Sequence, residues 1–169
     1  KDYKQFKKYH KKNIEDENTN KSRLFVINFV GDIKASAVES LRKEITAILT
    51  IATKKDEVLV NIESGGGTVN SYGLGASQLQ RIISKEIPLT VCIDKIAASG
   101  GYLMACVANK ILAAPFAIIG SIGVVAQLPN FHRWLKKRDV DFELLTAGEF
   151  KRTLTMFGEN TEKAREKFN

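Results

Sequence analysis

Histidine and cysteine are scarce in this sequence, which has two of each among 169 residues. His10 lies in a basic N-terminal stretch and His132 in an amphipathic segment, so neither has the surroundings typical of a catalytic base. Cys92 and Cys106 both lie in apolar segments, which favours two buried small side chains over a disulfide or a metal pair. We therefore predict no bound metal and no cofactor, and any catalytic base must be another residue type.

Long apolar runs are also missing. No run approaches the roughly 18–20 residues that a membrane-spanning helix needs, and no signal peptide is visible. The sequence begins at Lys1 without methionine and ends at Asn169 in a charged, helix-like run. We therefore expect a piece of a longer protein, truncated at its C-terminus and lacking upstream sequence that could anchor it.

The net charge of +7 is concentrated at the N-terminus, where six lysines fall within the first twelve residues. Because this stretch has no aromatic-plus-basic recognition module, we predict no nucleic-acid partner. A solvated tail or a segment attracted to anionic lipid explains the charge better. We predict a basic tail and linker over residues 1–22 and one folded domain over residues 23–169.

The rest of the sequence alternates strand-like and helix-like segments. This alternation predicts an α/β fold of repeated βα units around a largely parallel sheet. A short strand over 110–113, a helix around 131–137 and a strand around 141–145 complete the prediction. The principal predicted segments are strands over 24–30, 58–62 and 89–93, helices over 36–52 and 101–108, and a helix after the glycine turn that carries Tyr72, Ala76, Leu79, Ile82 and Ile83.

Two finer expectations concern the first βα unit. The nearly continuous apolar run over 24–30 is typical of a strand covered on both faces. Ser36 and Glu39 have the spacing of a capping box, which predicts the start of the following helix.

Two turns of small residues follow the second and third predicted strands. Ser99 is followed by Gly100 and Gly101 and opens a helix, where free N–H groups and the positive end of the helix dipole stabilise developing negative charge. Ser64 is followed by three glycines, which let backbone N–H groups approach a ligand closely. Because sites in open α/β sheets form beyond the carboxyl ends of strands, both turns lie where a reaction centre is expected.

Each feature also has a structural explanation. The glycine loop does not complete a dinucleotide or P-loop motif, since Asn70 occupies the last glycine position, so it can equally be a tight turn. Without further context a lysine such as Lys151 is a solvated surface residue. Ser121, between Gly120 and Gly123, can be only a turn residue.

The segments 62–69 and 97–102 together resemble those of the signal peptide peptidase A family of serine proteases, peptidase family S49, and most closely its SohB branch. The likeness runs from about Leu24 to Thr161. It extends to the segment 147–153, which resembles the family's lysine-containing segment. One departure is Gly65, where the family commonly has proline.

The resemblance implies a Clp protease/crotonase-like fold and a serine endopeptidase with a Ser/Lys dyad. Ser99 would be the nucleophile and Lys151 the general base. The N–H groups of Gly66 and Gly100 would form the oxyanion hole, and Ser121 would orient the lysine.

The resemblance also implies partners and a location. We expect hydrophobic peptides, such as remnants of signal peptides, as substrates, and a homo-oligomer in the full-length protein. The apolar residues Ile118, Ile119, Ile122 and Val124 could line a groove for such peptides or belong to the core. The expected location is the bacterial inner membrane, with the peptidase domain facing the periplasm. Two other functions remain open: a noncatalytic scaffold or interaction domain, and a crotonase-like acyl-CoA enzyme.

Overall fold

A computed structural model describes residues 22–145, 147 and 154–166. The predicted basic tail and Lys151 lie outside the described residues. The chain divides into two compact units, Lys1–Gly123 and Val124–Asn169. The elements of the first unit are β1 (Leu24–Gly31), α1 (Val38–Ile51), β2 (Glu57–Ser64), α2 (Val69–Ile83), β3 (Leu89–Ile93), β4 (Ile96–Ala98), α3 (Gly100–Ala105), β5 (Lys110–Ala113) and β6 (Ile118–Gly120).

The six strands that the structure describes in the first unit form one sheet, and all of their pairings are parallel. β2 is central. Its whole length pairs with β1, while β3 and β4 pair with successive parts of it. β5 then pairs with β3, and β6 pairs with β4. The predicted α/β class and parallel sheet are therefore confirmed, but the sequence analysis missed the two three-residue strands β4 and β6.

The hydrophobic core lies between one face of the sheet and the helices. Alternate residues of β2 and β3 point into it, because successive side chains of a strand face opposite sides of a sheet. α1 and α2 contribute apolar residues at three- and four-residue spacing, as the sequence predicts. The largest fully buried side chains are Tyr72, Phe29, Leu41, Ile45, Ile62, Leu79, Ile82, Leu89, Ile93, Met104, Val58 and Val60.

The expectation that β1 is covered on both faces is wrong. Leu24, Val26 and Val30 are 56%, 55% and 68% exposed, whereas Ile27 and Phe29 are buried. Among the described residues β1 pairs only with β2, and its buried side chains belong to the core shared with α1 and α2. A continuous apolar run therefore does not show here that both faces are covered.

The predicted capping box at Ser36 is also wrong. α1 begins at Val38, and no side chain caps its N-terminus. Both the backbone N–H and the hydroxyl of Ser36 instead donate to the carboxylate of Asp32, each at 2.8 Å. These hydrogen bonds, the one from the backbone N–H first, lower the pKa of Asp32 below its usual value.

A buried carboxylate ties the start of β1 to the turn before β2. Asp56 is 2% exposed and accepts hydrogen bonds from the backbone and guanidinium of Arg23 and from the N–H and hydroxyl of Thr53, at 2.7–3.1 Å. The bond from the Arg23 side chain is the main cause that holds the pKa of Asp56 well below its usual range.

We expect Asp56→Asn to lower the free energy of unfolding at neutral pH by about 2 kcal/mol, because it removes charge-assisted hydrogen bonds. A carboxylate whose pKa is lowered by folding stabilises the fold above its unfolded pKa of about 3.9, and this contribution is lost as the pH falls towards the folded value. Urea unfolding at pH 7 and pH 3 checks this. The difference between wild type and variant should shrink at pH 3, whereas exposed Asp94→Asn should change little at either pH. An equal loss at both pH values would contradict the charge-based account.

The described residues of the second unit form two short helices, α4 (His132–Lys136) and α5 (Glu162–Glu166). The ring of Phe157 stacks on that of Phe131, with ring centroids 5.9 Å apart. It is tilted against the ring of Phe142, with centroids 5.5 Å apart. The strand predicted around 141–145 is wrong, since these residues form no strand. A strand needs a hydrogen-bonding partner, and the described part of this unit provides none.

No helix among the described residues is long and apolar enough to cross a bilayer.

Candidate active site

Ser99 lies at the corner between β4 and α3, in a backbone conformation that serine rarely adopts. Its φ is 50° and its ψ is −118°, which costs on the order of 1–3 kcal/mol for a residue other than glycine. Two hydrogen bonds hold this corner: the N–H of Ser99 donates to the carbonyl of Gly120 at 2.8 Å, and the N–H of Leu103 donates to the carbonyl of Ser99 at 2.9 Å. The sheet and the helix together therefore hold a strained serine in place.

The glycine loop that follows β2 packs directly against this corner. Gly66 has a φ of +87°, and a Cβ atom placed on it would lie 2.7 Å from the Cβ of Ser99 and 2.8 Å from the backbone nitrogen of Gly100. Ser64, at the end of β2, pairs with Ala97 in β4. The parallel pairing thus brings the two turns together at one end of the sheet, as expected for the carboxyl ends of neighbouring parallel strands.

Gly100 is the first residue of α3, so its N–H has no acceptor within the helix. A Cβ atom on Gly100 would lie 2.3 Å from the ring of Tyr72, which is fully buried. The close contact with this ring excludes a side chain at position 100. The structure therefore places the backbone of Gly66 and the nitrogen of Gly100 beside the Ser99 corner, and the N–H of Gly66 donates to Ser64 Oγ at 3.1 Å.

The loop after β1 supports the glycine loop from outside. The N–H of Thr68 donates to the carbonyl of Ile33 at 2.9 Å, and a Cβ atom on Gly67 would lie 2.1 Å from the same oxygen. A side chain at position 67 would push the two loops apart. The glycine run is thus required by backbone packing as well as by its place beside Ser99.

Residues 1–79 match the family Peptidase family S49 N-terminal, and residues 81–169 match Peptidase family S49. The chain belongs to peptidase family S49. The resemblance identified from the two turns and the lysine-containing segment is confirmed at the level of the family.

Two relatives of this S49 chain are each named "Probable protease SohB". That of Haemophilus influenzae is 61% identical over 155 residues, which cover 92% of this chain and 43% of the relative. That of Buchnera aphidicola subsp. Schlechtendalia chinensis is 61% identical over 158 residues, which cover 94% of this chain and 52% of the relative. The chain spans about half the length of the curated relatives it matches.

A solved structure with the same fold is the 1510-N membrane-bound stomatin-specific protease. It superposes with a TM-score of 0.54 at 19% identity and covers 66% of this chain and 53% of that one. The likeness shows the fold, and the S49 chain has the predicted Clp protease/crotonase-like α/β fold.

Ser121, the predicted lysine-orienting residue, directly follows the Gly120 carbonyl that accepts the N–H of Ser99. Its φ is 56°, and it is exposed. The S49 chain therefore has two strained serines on neighbouring parallel strand ends, because Ala98 pairs with Gly120. Whether Ser121 contacts a lysine stays a prediction, since Lys151 lies outside the described residues.

The two cysteines and Tyr102 are further titratable groups among the described residues. Cys106 is exposed, so the prediction that it is buried is wrong. A hydrogen bond with Cys106 raises the pKa of the Tyr102 hydroxyl, and burial raises the pKa of the half-buried Cys92 thiol. Among the described residues, no three His, Cys, Asp or Glu side chains are grouped as a metal site requires.

The sequence analysis missed a pair of buried hydroxyl groups below the glycine loop. The oxygens of Ser64 and Tyr72 lie 2.5 Å apart, and the N–H of Gly66 donates to Ser64 Oγ at 3.1 Å. The sequence marks Ser64 only as the start of the glycine run and Tyr72 only as an apolar position of a helix. Their separation of eight residues gave no sequence signal of contact.

Proposed function

We propose that this chain carries the catalytic part of a serine endopeptidase. The observation that carries the proposal is the strained Ser99 at the corner of β4 and α3, packed against Gly66. Strained residues cluster at reactive sites, where the surrounding structure holds them in place. Membership of a peptidase family supports the same conclusion.

In the proposed reaction Ser99 Oγ attacks the carbonyl carbon of a peptide bond. Neutral Lys151 accepts the hydroxyl proton, and the carbonyl oxygen becomes an oxyanion that the N–H groups of Gly66 and Gly100 stabilise. The tetrahedral intermediate collapses with breakage of the C–N bond, and Lys151 returns the proton to the leaving amine. Water, activated by the same amine, then hydrolyses the acyl-enzyme ester and releases Ser99.

The proposed substrates are extended hydrophobic peptides. Three isoleucines of β6 and the residues that follow it, Ile118, Ile119 and Ile122, are 63%, 48% and 87% exposed and thus do not belong to the core. β6 pairs with β4, which leads directly to Ser99. Apolar side chains next to a strand end suit peptide side chains that bind alongside the sheet.

For the full-length protein we further propose attachment to the bacterial inner membrane, a peptidase domain that faces the periplasm, and assembly into a homo-oligomer. These proposals rest on the family resemblance. Protease accessibility in intact spheroplasts tests the location. Sedimentation of the detergent-extracted protein tests the assembly.

Covalent labelling tests the proposed nucleophile in the full-length protein. A fluorophosphonate probe reacts when an activated serine oxygen displaces fluoride, and we expect mass spectrometry to find the label on Ser99. Ser77, exposed on α2 with its hydroxyl bonded to the carbonyl of Leu74, serves as the internal reference and should stay unlabelled. Stoichiometric labelling of another serine with Ser99 unmodified would contradict the proposal.

A further inference from the structure

A chain of hydrogen bonds connects the loop after β1 to the glycine loop beside Ser99. The Tyr72 hydroxyl donates to the carbonyl of Asp32 at 2.7 Å, and the Tyr72 and Ser64 oxygens lie 2.5 Å apart. Ser64 Oγ in turn accepts the N–H of Gly66 at 3.1 Å. Ser64 is 2% exposed and Tyr72 is fully buried, so these hydrogen bonds are shielded from water.

The donors and acceptors give this chain a direction. Tyr72 has a single hydroxyl proton, and the Asp32 carbonyl accepts it. Because Tyr72 cannot also donate to Ser64, the single proton of Ser64 goes either to the Tyr72 oxygen at 2.5 Å, the closer acceptor, or to the carbonyl of Gly31 at 3.2 Å. Either arrangement leaves a lone pair of Ser64 Oγ for the N–H of Gly66.

The glycine loop needs such an anchor because its own residues restrict it little. Three consecutive glycines have access to both signs of φ, so sterics alone do not fix the orientation of the peptide between Gly65 and Gly66. The bond to Ser64 fixes where the N–H of Gly66 points. At 3.1 Å it is a long bond between residues two apart, and an N–H in this geometry can be shared with a second acceptor.

Tyr72 is linked to both predicted oxyanion donors. Its hydroxyl reaches Gly66 through Ser64, while its ring lies against Gly100. The ring also packs edge-on against Phe29, with centroids 6.4 Å apart. The buried side chain of Tyr72 therefore restrains the position of Gly66, through Ser64, and the position of Gly100, through its ring.

We infer that Ser64 and Tyr72 are positioning residues for the oxyanion hole, and that the Ser64 hydroxyl sets the orientation of the peptide whose N–H belongs to Gly66. The inference rests on the proposed function, since it assumes that Gly66 and Gly100 donate to an oxyanion. Neither side chain needs to touch the substrate. Their effect is confined to the transition state, where negative charge develops on the carbonyl oxygen.

We expect Ser64→Ala in the full-length protein to lower kcat by about 10–100-fold and to leave KM within about twofold. The loss is smaller than the roughly 10²–10³-fold seen when an oxyanion donor is removed, because the N–H remains but is no longer held. Tyr72→Phe keeps the ring and leaves Ser64 its bond to Gly66, so we expect a loss of about 3–10-fold. Exposed Ser77→Ala is the matched control for the loss of a serine hydroxyl outside the site and should behave as wild type.

Inhibitor binding distinguishes this role from general loss of structure. A peptide aldehyde forms a hemiacetal with Ser99 that places an oxygen in the oxyanion hole, whereas a reduced-amide peptide has no carbonyl at that position. We expect the Ki of the aldehyde to rise by the same factor as kcat/KM falls, and the Kd of the reduced-amide peptide to stay constant. If Ser64→Ala does not fold, Tyr72→Phe carries the same comparison.

Unchanged or increased kcat in both variants, with unchanged aldehyde binding, would overturn the inference, as would weakened binding of the reduced-amide peptide in proportion to kcat. Ser99→Ala, assayed alongside, separates the two levels of the argument. If Ser99→Ala is as active as wild type, the proposed function fails. If it is inactive while Ser64→Ala matches wild type, only the positioning role fails.

Discussion

We expect Ser99→Ala to lower kcat for cleavage of a hydrophobic fluorogenic peptide by about 10⁴-fold or more. The reason is that no other group on the Ser99 corner can form the acyl-enzyme ester, so covalent catalysis is lost rather than weakened. The measurement is steady-state hydrolysis by the full-length protein, with Ser77→Ala as the control for a serine hydroxyl outside the site. Cleavage by Ser99→Ala at more than a hundredth of the wild-type rate would contradict the assignment.

The same position makes a second readout available. Alanine keeps the unfavourable positive φ of Ser99, whereas glycine adopts it without steric cost. Ser99→Gly should therefore raise the free energy of unfolding by about 1 kcal/mol relative to Ser99→Ala while both remain inactive. Equal stability of the two variants would mean that the corner stores no strain.

A higher free energy of unfolding for Ser99→Gly would show that the backbone conformation of Ser99 lowers the stability of the fold. The N–H of Ser99 is committed to Gly120, and its carbonyl to Leu103, so the backbone cannot relax without breaking the β4–β6 pairing or the first turn of α3. The Cβ atom of Ser99 is thereby held at a sharp corner beside the backbone of Gly66. The proposed reactive geometry and the backbone strain would then have the same structural origin.

The regular elements around the site could be predicted because their apolar residues are periodic. α1 and α2 bury side chains at helical spacing, and β2 alternates buried and partly buried residues along its length. By contrast, β4 and β6 are only three residues long, too short for a periodic pattern. These two strands are nevertheless the ones that place Ser99 beside Gly120.

The capping error at Ser36 and the missed contact of Ser64 share a cause: each side chain has a partner that its sequence spacing does not show. Ser36 bonds to Asp32 rather than capping α1, and Ser64 bonds to Tyr72 on the next helix. The positive φ of Ser99 could not be predicted from the sequence either, because a serine, unlike a glycine, does not indicate a positive φ. The meeting of the Ser99 and Gly66 turns was predictable, since parallel strands carry their following loops to the same edge of the sheet.

The proposed general base, Lys151, gives the second large expected effect. We expect Lys151→Ala to lower kcat by about 10³–10⁴-fold, near the upper end for loss of a general acid–base. Lys151→Arg should be as inactive, although it keeps the positive charge, because a guanidinium does not deprotonate in proteins. In wild type, kcat/KM should fall as the pH drops below the pKa of the lysine, since only the neutral amine accepts the proton of Ser99. Hydrolysis measured from pH 6 to pH 10 checks both statements.

The variants Lys151→Ala and Lys151→Arg distinguish a lysine that acts as a general base from one that acts through its positive charge. If Lys151 acted by its positive charge, Lys151→Arg would retain activity and the wild-type rate would not rise with pH. If it acts as a base, a small amine such as propylamine should partly restore Lys151→Ala, with the restored rate following the concentration of the unprotonated amine, and should leave Ser99→Ala inactive. Lys137→Ala and Lys137→Arg, at an exposed position just after α4, are the matched controls and should have wild-type rates. Because amine rescue requires space next to Ser99 as well as a missing base, it tests the two members of the proposed dyad together.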